Sequence, residues 1–382
     1  MSGADDRQVT ERAAEVAEKL LRVRGLLRRE RLDGCLLGGS GSVAWLTGGM
    51  TNPIVRGAEP GSLRVLVTAD RACVLADNIE ATRIEAEDPP ARLGLDLVVR
   101  PWFEDGLERF ALDLVPATRL ANDGFGPGRD LGRELIALRM RLAPNERQRL
   151  RRLGRDAALA LEGAVRQLRP GVTERELAAE VARRCELAGM FPQVLLVSSE
   201  FRRSFRHPVP RALPIKRDVL AVACVERGGQ FVALSRSACF GSPDPETEAD
   251  HRVACAVDAE LIAATRPGDG RTYEEILDAV LPVYERFGRP REWERHHQGG
   301  PIGYASRESL IFPGASASGQ GHVIEVGNAV AWNPSAGRAK SEDTFLIGED
   351  ANQPVTVGDG WPTLEFDGGA APIRRPAILR ID

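Results

Sequence analysis

The longest run of helical periodicity in this chain begins near Pro144 and constrains the fold of everything that follows it. Apolar residues recur there at spacings of three and four, which is the repeat of an amphipathic helix: Leu150, Leu153, Ala157, Leu161, Ala164 and Leu168. A Pro-Gly pair at 170–171 ends this helix. Thr173 and Glu176 then form a capping-box pattern, which predicts a second helix that runs to about Leu187.

Strand-like segments follow this pair of helices. Four apolar runs are predicted to be strands: 194–197, 219–225, 231–237 and 329–332. Two glycines at 228–229 supply the tight turn that a hairpin between the second and third runs requires. Two more helices are predicted over 247–264 and 273–287. We therefore expect one C-terminal domain of helices and strands over residues 143–382.

Helices and strands alternate in the N-terminal part of the chain as well. Helical patterns cover 11–31 and 79–87, and the predicted strands are 35–37, 63–68, 72–76 and 95–100. Glycines at 38, 39 and 41 predict a flexible break after the first strand. This alternation predicts a small α/β domain over residues 1–142. The expected fold class of the whole chain is therefore α/β (α+β), in two domains.

Composition and charge exclude several kinds of partner. The 382 residues are 43% hydrophobic and 28% charged, with a net charge of −4, so nothing favours nucleic acid or an anionic membrane. The six cysteines occur singly, which is typical of reduced thiols rather than of disulfides or a zinc site. No apolar run approaches 18 residues, and the N-terminus lacks an apolar signal core. We expect a cytoplasmic protein that acts on a small molecule.

Five short segments resemble one family of enzymes. They are HHQGGPIGYASRE at 296–308, SRS at 235–237, NP at 333–334, SEDT at 341–344 and, more weakly, VAWLTGG at 43–49. In this order they are similar to landmarks of creatinase, aminopeptidase P and prolidase, the pita-bread (M24-like) family. The resemblance covers about residues 143–350 and implies a pita-bread domain. The weaker N-terminal match implies a creatinase-like N-terminal domain.

Members of that family hold two metal ions with two Asp, one His and two Glu, and the resemblance implies where those ligands would stand. Four of the five positions carry residues that cannot replace the usual ligand: Val222, Ala233, Gly300 and Asn333. Only Glu342 remains. Carboxylates and imidazole are the ligands that divalent manganese, cobalt or zinc would need. We therefore expect no metal ligands of this type and no cofactor.

Creatinase is the branch of this family that works without metal, and two further segments resemble it. ALSRS at 233–237 is similar to its Ala-Leu-Glu-Arg-Thr, and YASRE at 304–308 is similar to its Tyr-Tyr-Gly-Arg-Glu. His207, in an Arg-His-Pro segment, occupies the place of creatinase's proton-transferring histidine. Ser235 and Asn333 replace the two glutamates that polarise creatine, so creatine itself is not the expected substrate.

These matches imply roles for individual residues. Catalysis is assigned to His207, Glu342 and Asn333, because a histidine exchanges protons near neutral pH and polar groups can orient the reacting atoms. Substrate binding is assigned to Arg307, Tyr304, His296, Ser235 and Arg56. A guanidinium suits a substrate carboxylate. The predicted function is a metal-independent hydrolase that cleaves a C–N bond in a small, carboxylate-bearing molecule.

Three structural details are expected around these residues. If His296 and His297 lie on a strand, their side chains point to opposite faces, and only one can face a pocket. A buried Glu342 needs a cation, for which Lys340 and Arg307 are candidates. A new metal site made of His207, one of the paired histidines and Glu342 remains an alternative.

The quaternary state follows from the resemblance. Creatinase-type proteins are dimers in which the N-terminal domain of one subunit lends an arginine to the other's active site. Residues 49–57 form a turn-rich loop with one basic side chain, Arg56. We therefore expect a homodimer in which Arg56 reaches the partner's pocket.

Two other functions remain open at this point. One is a non-catalytic pita-bread module that binds a ligand or a protein. The other is a different acid–base reaction, an elimination or isomerisation, in the same pocket and possibly within a biosynthetic pathway. Fold alone does not choose between them.

Overall fold

The computed structural model describes residues 3–51, 54–104, 106–315, 321–368 and 371–382. The chain divides into two compact units. The first consists of Met1–Glu146 with Gly228–Gln230, and the second of Arg147–Arg227 with Phe231–Asp382. Over the described ranges, no helix is both long and apolar enough to span a bilayer. Helices and strands mix in both units, so the predicted α/β (α+β) class is confirmed.

The first unit is built around one six-stranded sheet. Its helices are α1 Gly3–Glu30, α2 Ser40–Thr47, α3 Ala81–Glu87, α4 Leu107–Leu114 and α5 Gly132–Met140. Its strands are β1 Gly34–Leu37, β2 Arg64–Thr68, β3 Ala72–Asp77, β4 Asp96–Arg100, β5 Leu120–Asn122 and β6 Arg129–Asp130. The sheet order is β4-β3-β2-β1-β5-β6, in which β1, β2 and β3 are antiparallel neighbours and the outer pairs are parallel. Leucines and valines of these strands and of α4 form the core on one face.

One local prediction for the first unit is wrong. The glycine-rich residues 38–41 are not a flexible break, because α2 begins at Ser40 with Gly39 as its N-cap. The backbone amides of Gly38 and Gly39 donate to the carboxylate of Asp123, at 2.9 and 3.0 Å. The side chain that orders this turn lies more than 80 positions away in the sequence, where local glycine content gives no sign of it.

The second unit carries the remaining elements. Its helices are α6 Pro144–Arg166, α7 Glu174–Leu187, α8 Pro245–Ala264, α9 Tyr273–Val280 and α10 Val283–Arg286. Its longer strands are β7 Phe191–Ser199, β8 Asp218–Arg227, β9 Gln230–Phe240, β10 Gly299–Ile302 and β11 Ala329–Trp332. The shorter ones are β12 Ser335–Ala336, β13 Ala339–Lys340, β14 Phe345–Leu346, β15 Gln353–Pro354, β16 Thr363–Phe366, β17 Ile373–Pro376 and β18 Leu379–Ile381.

Two four-stranded sheets organise the second unit. Their strand orders are β18-β9-β8-β7 and β10-β11-β14-β15, and hairpins β12–β13 and β16–β17 complete the set. The capping box predicted at Thr173 is confirmed, since its hydroxyl accepts from the Glu176 amide and Glu176 accepts from the Thr173 amide. The helix predicted over 273–287 is instead two, α9 and α10. Pro282 separates them, because proline has no N–H to continue the helical bonding.

Candidate active site

Three histidine side chains meet in the second unit. The ring of His296 stacks on that of His297, with centroids 4.5 Å apart and planes 27° from parallel. His207 packs against both, at 5.4 Å from His296 and 6.2 Å from His297. His296 is buried, whereas His207 and His297 are exposed. One ring nitrogen from each of the three lies within 4.8 Å of the others.

The pairing of His296 with His297 corrects the expectation that they point to opposite faces. Both lie in the connection between a 3₁₀ turn at Glu292–Arg295 and β10, not within a strand, so the alternation of a strand does not apply. Gln298 holds this connection. Its amide nitrogen donates to the His296 carbonyl at 2.5 Å, and its amide oxygen accepts from the Tyr284 hydroxyl at 2.9 Å.

His207 is carried by a segment that buried ion pairs hold in place. Glu174, the first residue of α7, is fully buried and accepts from the amide and hydroxyl of Ser199, both at 2.9 Å, and from the amide of Arg211 at 3.0 Å. The same carboxylate pairs with Arg202. Glu174 therefore fastens the segment on both sides of His207.

A chain of alternating charges leads away from the histidines. The Lys340 ammonium is 3.5 Å from Nε2 of His296 and 3.8 Å from Oε2 of Glu342. Arg307 Nη2 donates to the other oxygen of Glu342 at 2.9 Å. Both cations considered for Glu342 thus pair with it. Lys340 lies at the end of β13, where its backbone pairs with that of Ser335 on β12. This pairing fixes the position of the Lys340 backbone.

Burial and neighbouring cations lower the pKa of all three histidines. Burial, then the Lys340 cation, lowers the pKa of His207, and the negative charge of Glu342 opposes this shift. The same two causes lower the pKa of His296 far more, since that ring is better buried. Burial and Arg307 lower the pKa of His297. Burial also lowers the pKa of Lys340, so its ammonium gives up a proton more readily than an exposed lysine does.

Several polar atoms near this chain of charges have no hydrogen-bond partner among the described residues. They are Nδ1 of His296, Nε of Arg307, Oδ1 of Asn333 and Oε2 of Glu342, and all are buried. Buried polar atoms usually have a hydrogen-bond partner, and a bound molecule is one way in which these atoms would acquire one. Two donors or potential donors and two acceptors remain for a polar ligand.

At the positions that the family resemblance implies for two metal ions, the residues of this chain do not offer the usual ligands. Val222 and Ala233 are buried, apolar residues on the hairpin of β8 and β9. At Gly300 the backbone has φ +141°, and a Cβ would lie 2.7 Å from Cγ1 of Ile311. A histidine therefore has neither the backbone conformation nor the room it needs. The one remaining carboxylate, Glu342, pairs with Arg307 through one oxygen, and its other oxygen lies 3.8 Å from the Lys340 ammonium.

The other sequence-predicted residues lie in different surroundings. Tyr304 is buried, and its hydroxyl accepts from Arg149 at 3.5 Å. Ser235 is buried on β9. Its backbone N–H donates to the backbone carbonyl of Glu342 at 2.9 Å, so the two residues are neighbours. Asn333 follows β11, and its backbone N–H donates to the backbone carbonyl of Gln298 at 2.9 Å. Arg56 lies in the first unit, in an exposed turn.

Sequence reasoning did not assign two residues of the site. His297 was set aside in favour of His296, although their adjacency was the available signal. Arg206 directly precedes His207 and donates to the Gly337 carbonyl at 2.9 Å while pairing with Glu292. Its burial in the fold could not be read from a loop rich in arginine and proline. Burial is also the main cause that lowers the pKa of Arg206.

Comparison with known proteins identifies the class of domain that this geometry belongs to. The model of metallopeptidase family M24 matches residues 148–349, more than half of the chain, and the chain belongs to that family. The predicted resemblance to the pita-bread, M24-like enzymes is thereby confirmed. Membership supports a peptidase-like hydrolase. A search of curated proteins gave no match.

Solved structures of the same fold span nearly the whole chain. A prolidase from Pyrococcus horikoshii OT3 has a TM-score of 0.72 at 16% identity, covering 90% of this chain and 99% of that one. Dipeptidase PepE from Mycobacterium ulcerans gives 0.73 at 17% identity, covering 97% and 98%. The N-terminal domain of FACT complex subunit SPT16 from Cicer arietinum gives 0.66 at 13% identity, covering 90% and 96%. At these identities the likeness is one of fold.

Proposed function

We propose that this chain is a hydrolase that cleaves a C–N bond in a small, carboxylate-bearing molecule without the two metal ions of its family. The observation that carries the proposal is the exposed imidazole of His207 beside the buried chain Lys340, Glu342 and Arg307. An exposed, neutral imidazole next to fixed charges is what general acid–base catalysis requires.

The proposed reaction uses water and returns every proton. His207 takes a proton from water as the water oxygen bonds to the carbon of the scissile C–N bond. The C–N bond then breaks, and His207 gives the proton to the leaving nitrogen. Asn333 and Glu342 each have a buried oxygen without a hydrogen-bond partner in the described part of the chain, and either can accept from an N–H of the reacting group.

Arg307 is proposed to bind the substrate's carboxylate. Its Nη1 donates to the Ser306 carbonyl at 2.6 Å and its Nη2 to Glu342, but its buried Nε has no acceptor within the described residues. An anion that reaches this N–H would satisfy it and add a charge-assisted hydrogen bond. The carboxylate would also offset the excess of positive charge that Arg307 and Lys340 leave beside a single Glu342.

Turnover of a panel of amidines, ureas and amides that carry a carboxylate tests the proposal. With the compound that is turned over, His207→Ala should lower kcat/KM by roughly 10²–10⁴-fold, the usual effect of removing a positioned acid–base group. The melting temperature should stay close to that of the wild type, because the His207 side chain is exposed.

His322→Ala is the comparison variant, since it removes a buried histidine outside the cluster and should leave the rate unchanged. EDTA treatment should not reduce the rate either, because four of the five family ligand positions cannot bind metal. A loss below about threefold for His207→Ala would contradict its proposed role.

A protein-binding module is the second candidate. It is favoured by the similarity of fold to the N-terminal domain of a FACT complex subunit, a protein named for an assembly rather than for a reaction. Absence of turnover across the whole panel, together with a stable protein complex recovered with this chain, would support that function over hydrolysis.

A further inference from the structure

We infer that His207, His296 and His297 together form a binding site for a single Zn²⁺ ion. None of the three stands at a two-metal position of the family, so this is a different site from the one the chain has lost. In a tetrahedral site with zinc–nitrogen distances of about 2.0–2.1 Å, the ligand nitrogens lie roughly 3.3–3.4 Å apart. The three ring nitrogens lie within 4.8 Å of one another, so they need to approach each other by at most about 1.5 Å. Three imidazoles and a water complete the tetrahedral set that zinc prefers.

The hydrogen bonding of His296 independently points to a ligand. This side chain is only 8% exposed, and its Nδ1 has no partner among the residues that the structure describes. A buried ring nitrogen normally has a hydrogen-bond partner. A bound ion would supply a partner for this nitrogen. Gln298 accepts from the Tyr284 hydroxyl and donates to the His296 carbonyl, which holds the backbone that carries the ring.

Access and protonation govern ion binding at this cluster. His207 and His297 are exposed, so a hydrated ion can approach from solvent and be completed by the buried third ring. A ring nitrogen must be deprotonated to bind a metal ion, so binding requires a pH at which these rings are neutral. The remaining opposition comes from the Lys340 ammonium, 3.5 Å from His296.

The site has a consequence for activity that rests on the proposed function. An ion held by His207 uses the lone pair with which that imidazole would accept a proton from water. Metal binding and proton transfer at His207 therefore exclude one another. We expect Zn²⁺ to inhibit the hydrolysis, and removal of the ion to restore it.

Titration of the EDTA-treated, dialysed protein with Co²⁺ tests the site without any substrate. One equivalent should develop the intense visible absorption of tetrahedral cobalt, and Zn²⁺ should abolish it by displacement. His207→Gln and His297→Gln, both at exposed positions that a glutamine can fill, should each weaken binding at least about tenfold. His322→Gln, which changes a buried histidine outside the cluster, should bind as the wild type does.

Lys340→Met provides a test in the opposite direction. Removing the neighbouring positive charge should strengthen Co²⁺ binding by about tenfold, because two like charges no longer face each other at short range. Gain of affinity cannot come from misfolding. A wild type that shows no tetrahedral Co²⁺ spectrum, or a spectrum that survives His207→Gln combined with His297→Gln, would overturn the inference.

Rate measurements with and without Zn²⁺ distinguish a failure of the metal site from a failure of the proposed hydrolysis. For a compound that the protein turns over, one equivalent of Zn²⁺ should lower the rate, and EDTA should restore it. Faster turnover with Zn²⁺ would overturn the inhibitory role and the proton-transfer role of His207 together. If no panel compound is turned over, the proposed hydrolysis fails, whereas the Co²⁺ titration still decides whether the site exists.

Discussion

His251 is a histidine whose chemistry is entirely structural. It lies on the buried side of α8, and its Nε2 is 2.8 Å from the carbonyl of Pro376, so the ring donates to that oxygen. The Sγ of Cys255 is 3.4 Å from the same nitrogen. Burial lowers the pKa of His251 to about 4, and the cations of Arg203 and Arg375 act in the same direction.

This lowered pKa predicts acid sensitivity of the fold. Because the unfolded histidine titrates near 6.5, the unfolded state binds more protons than the folded state between about pH 6.5 and 4. Stability is therefore lost as the pH falls through that window. Between pH 7.5 and 5 the contribution of His251 to the free energy of unfolding should drop by about 2 kcal/mol.

Urea unfolding at both pH values measures this change. In His251→Gln the amide can still donate to the Pro376 carbonyl but cannot take up a proton. The loss of stability between pH 7.5 and 5 should therefore be smaller in the variant by the same amount. Parallel losses in both proteins would show that other groups, such as the three clustered histidines, cause the acid sensitivity.

The sequence predicts which residue types form the site better than it predicts how their side chains are oriented. The cations beside Glu342 follow from the sequence, since a buried charge needs a partner close by. The absence of a metal ligand at Gly300 remains a prediction. The stacking of His296 on His297 does not follow from the sequence, because it depends on the backbone between a 3₁₀ turn and β10. The roles assigned to Tyr304 and Ser235 remain predictions.

The segment between β7 and β8 is the element on which the site depends most. It contains few backbone bonds of its own and is held by contacts with the start of α7. The amide of Glu174 donates to the Leu213 carbonyl and the amide of Arg175 to the Arg211 carbonyl, both at 3.0 Å. The Glu174 carboxylate adds its ion pair with Arg202, where both side chains are buried.

Removing the charge of Glu174 should loosen this segment. In Glu174→Gln the buried guanidinium of Arg202 loses its counter-ion, which typically costs about 3–5 kcal/mol of the free energy of unfolding. Urea unfolding measures the loss. Hydrogen exchange should become faster at the amides of Ser199 and Arg211, because both donate to this carboxylate.

Two comparison variants distinguish a buried pair from charge loss in general. Glu180→Gln breaks a partly exposed pair with Arg183 and Arg184, and should cost at most about 1 kcal/mol. Adding Arg202→Leu to Glu174→Gln removes the stranded charge and should recover part of the stability. Equal costs for Glu174→Gln and Glu180→Gln would mean that the ion pair does not fasten the segment.

Elements with strong local signals were predicted well, and those set by distant contacts were not. The capping box at Thr173 fixes the start of α7 within four residues of sequence, and the structure agrees. By contrast, α2 begins in a glycine-rich stretch whose amides are held by Asp123 from far along the chain. Local composition cannot report such a contact.

At the scale of the whole molecule, the order of elements carried the identification of the fold. Two helices, a strand hairpin, two more helices and a glycine-rich strand recur in chains that share only 13–17% identity with this one. Such an order survives because each element needs only a pattern of apolar residues. The chemistry of a site depends on particular side chains, which the order of elements does not determine.

Two large apolar side chains of the first unit lie exposed beside each other. Trp102 and Phe103 are 63% and 70% exposed and touch edge to face, with centroids 5.9 Å apart. Ile54 and Val55, beside the proposed substrate-binding Arg56, are also exposed. Large apolar groups left in water commonly mark contact surfaces. A second copy of this chain is the partner that the predicted homodimer supplies.

The shared-site proposal makes the last prediction. If Arg56 reaches the partner's pocket and helps Arg307 to bind a carboxylate, Arg56→Glu should raise KM for the turned-over compound at least about tenfold, since an attractive charge becomes repulsive. The protein should remain a dimer by light scattering with an unchanged melting temperature. Arg109→Glu, an exposed helix position with the same change of charge, should leave KM unaltered. A monomer in dilute solution, or equal KM values for both variants, would contradict a site completed by the partner subunit.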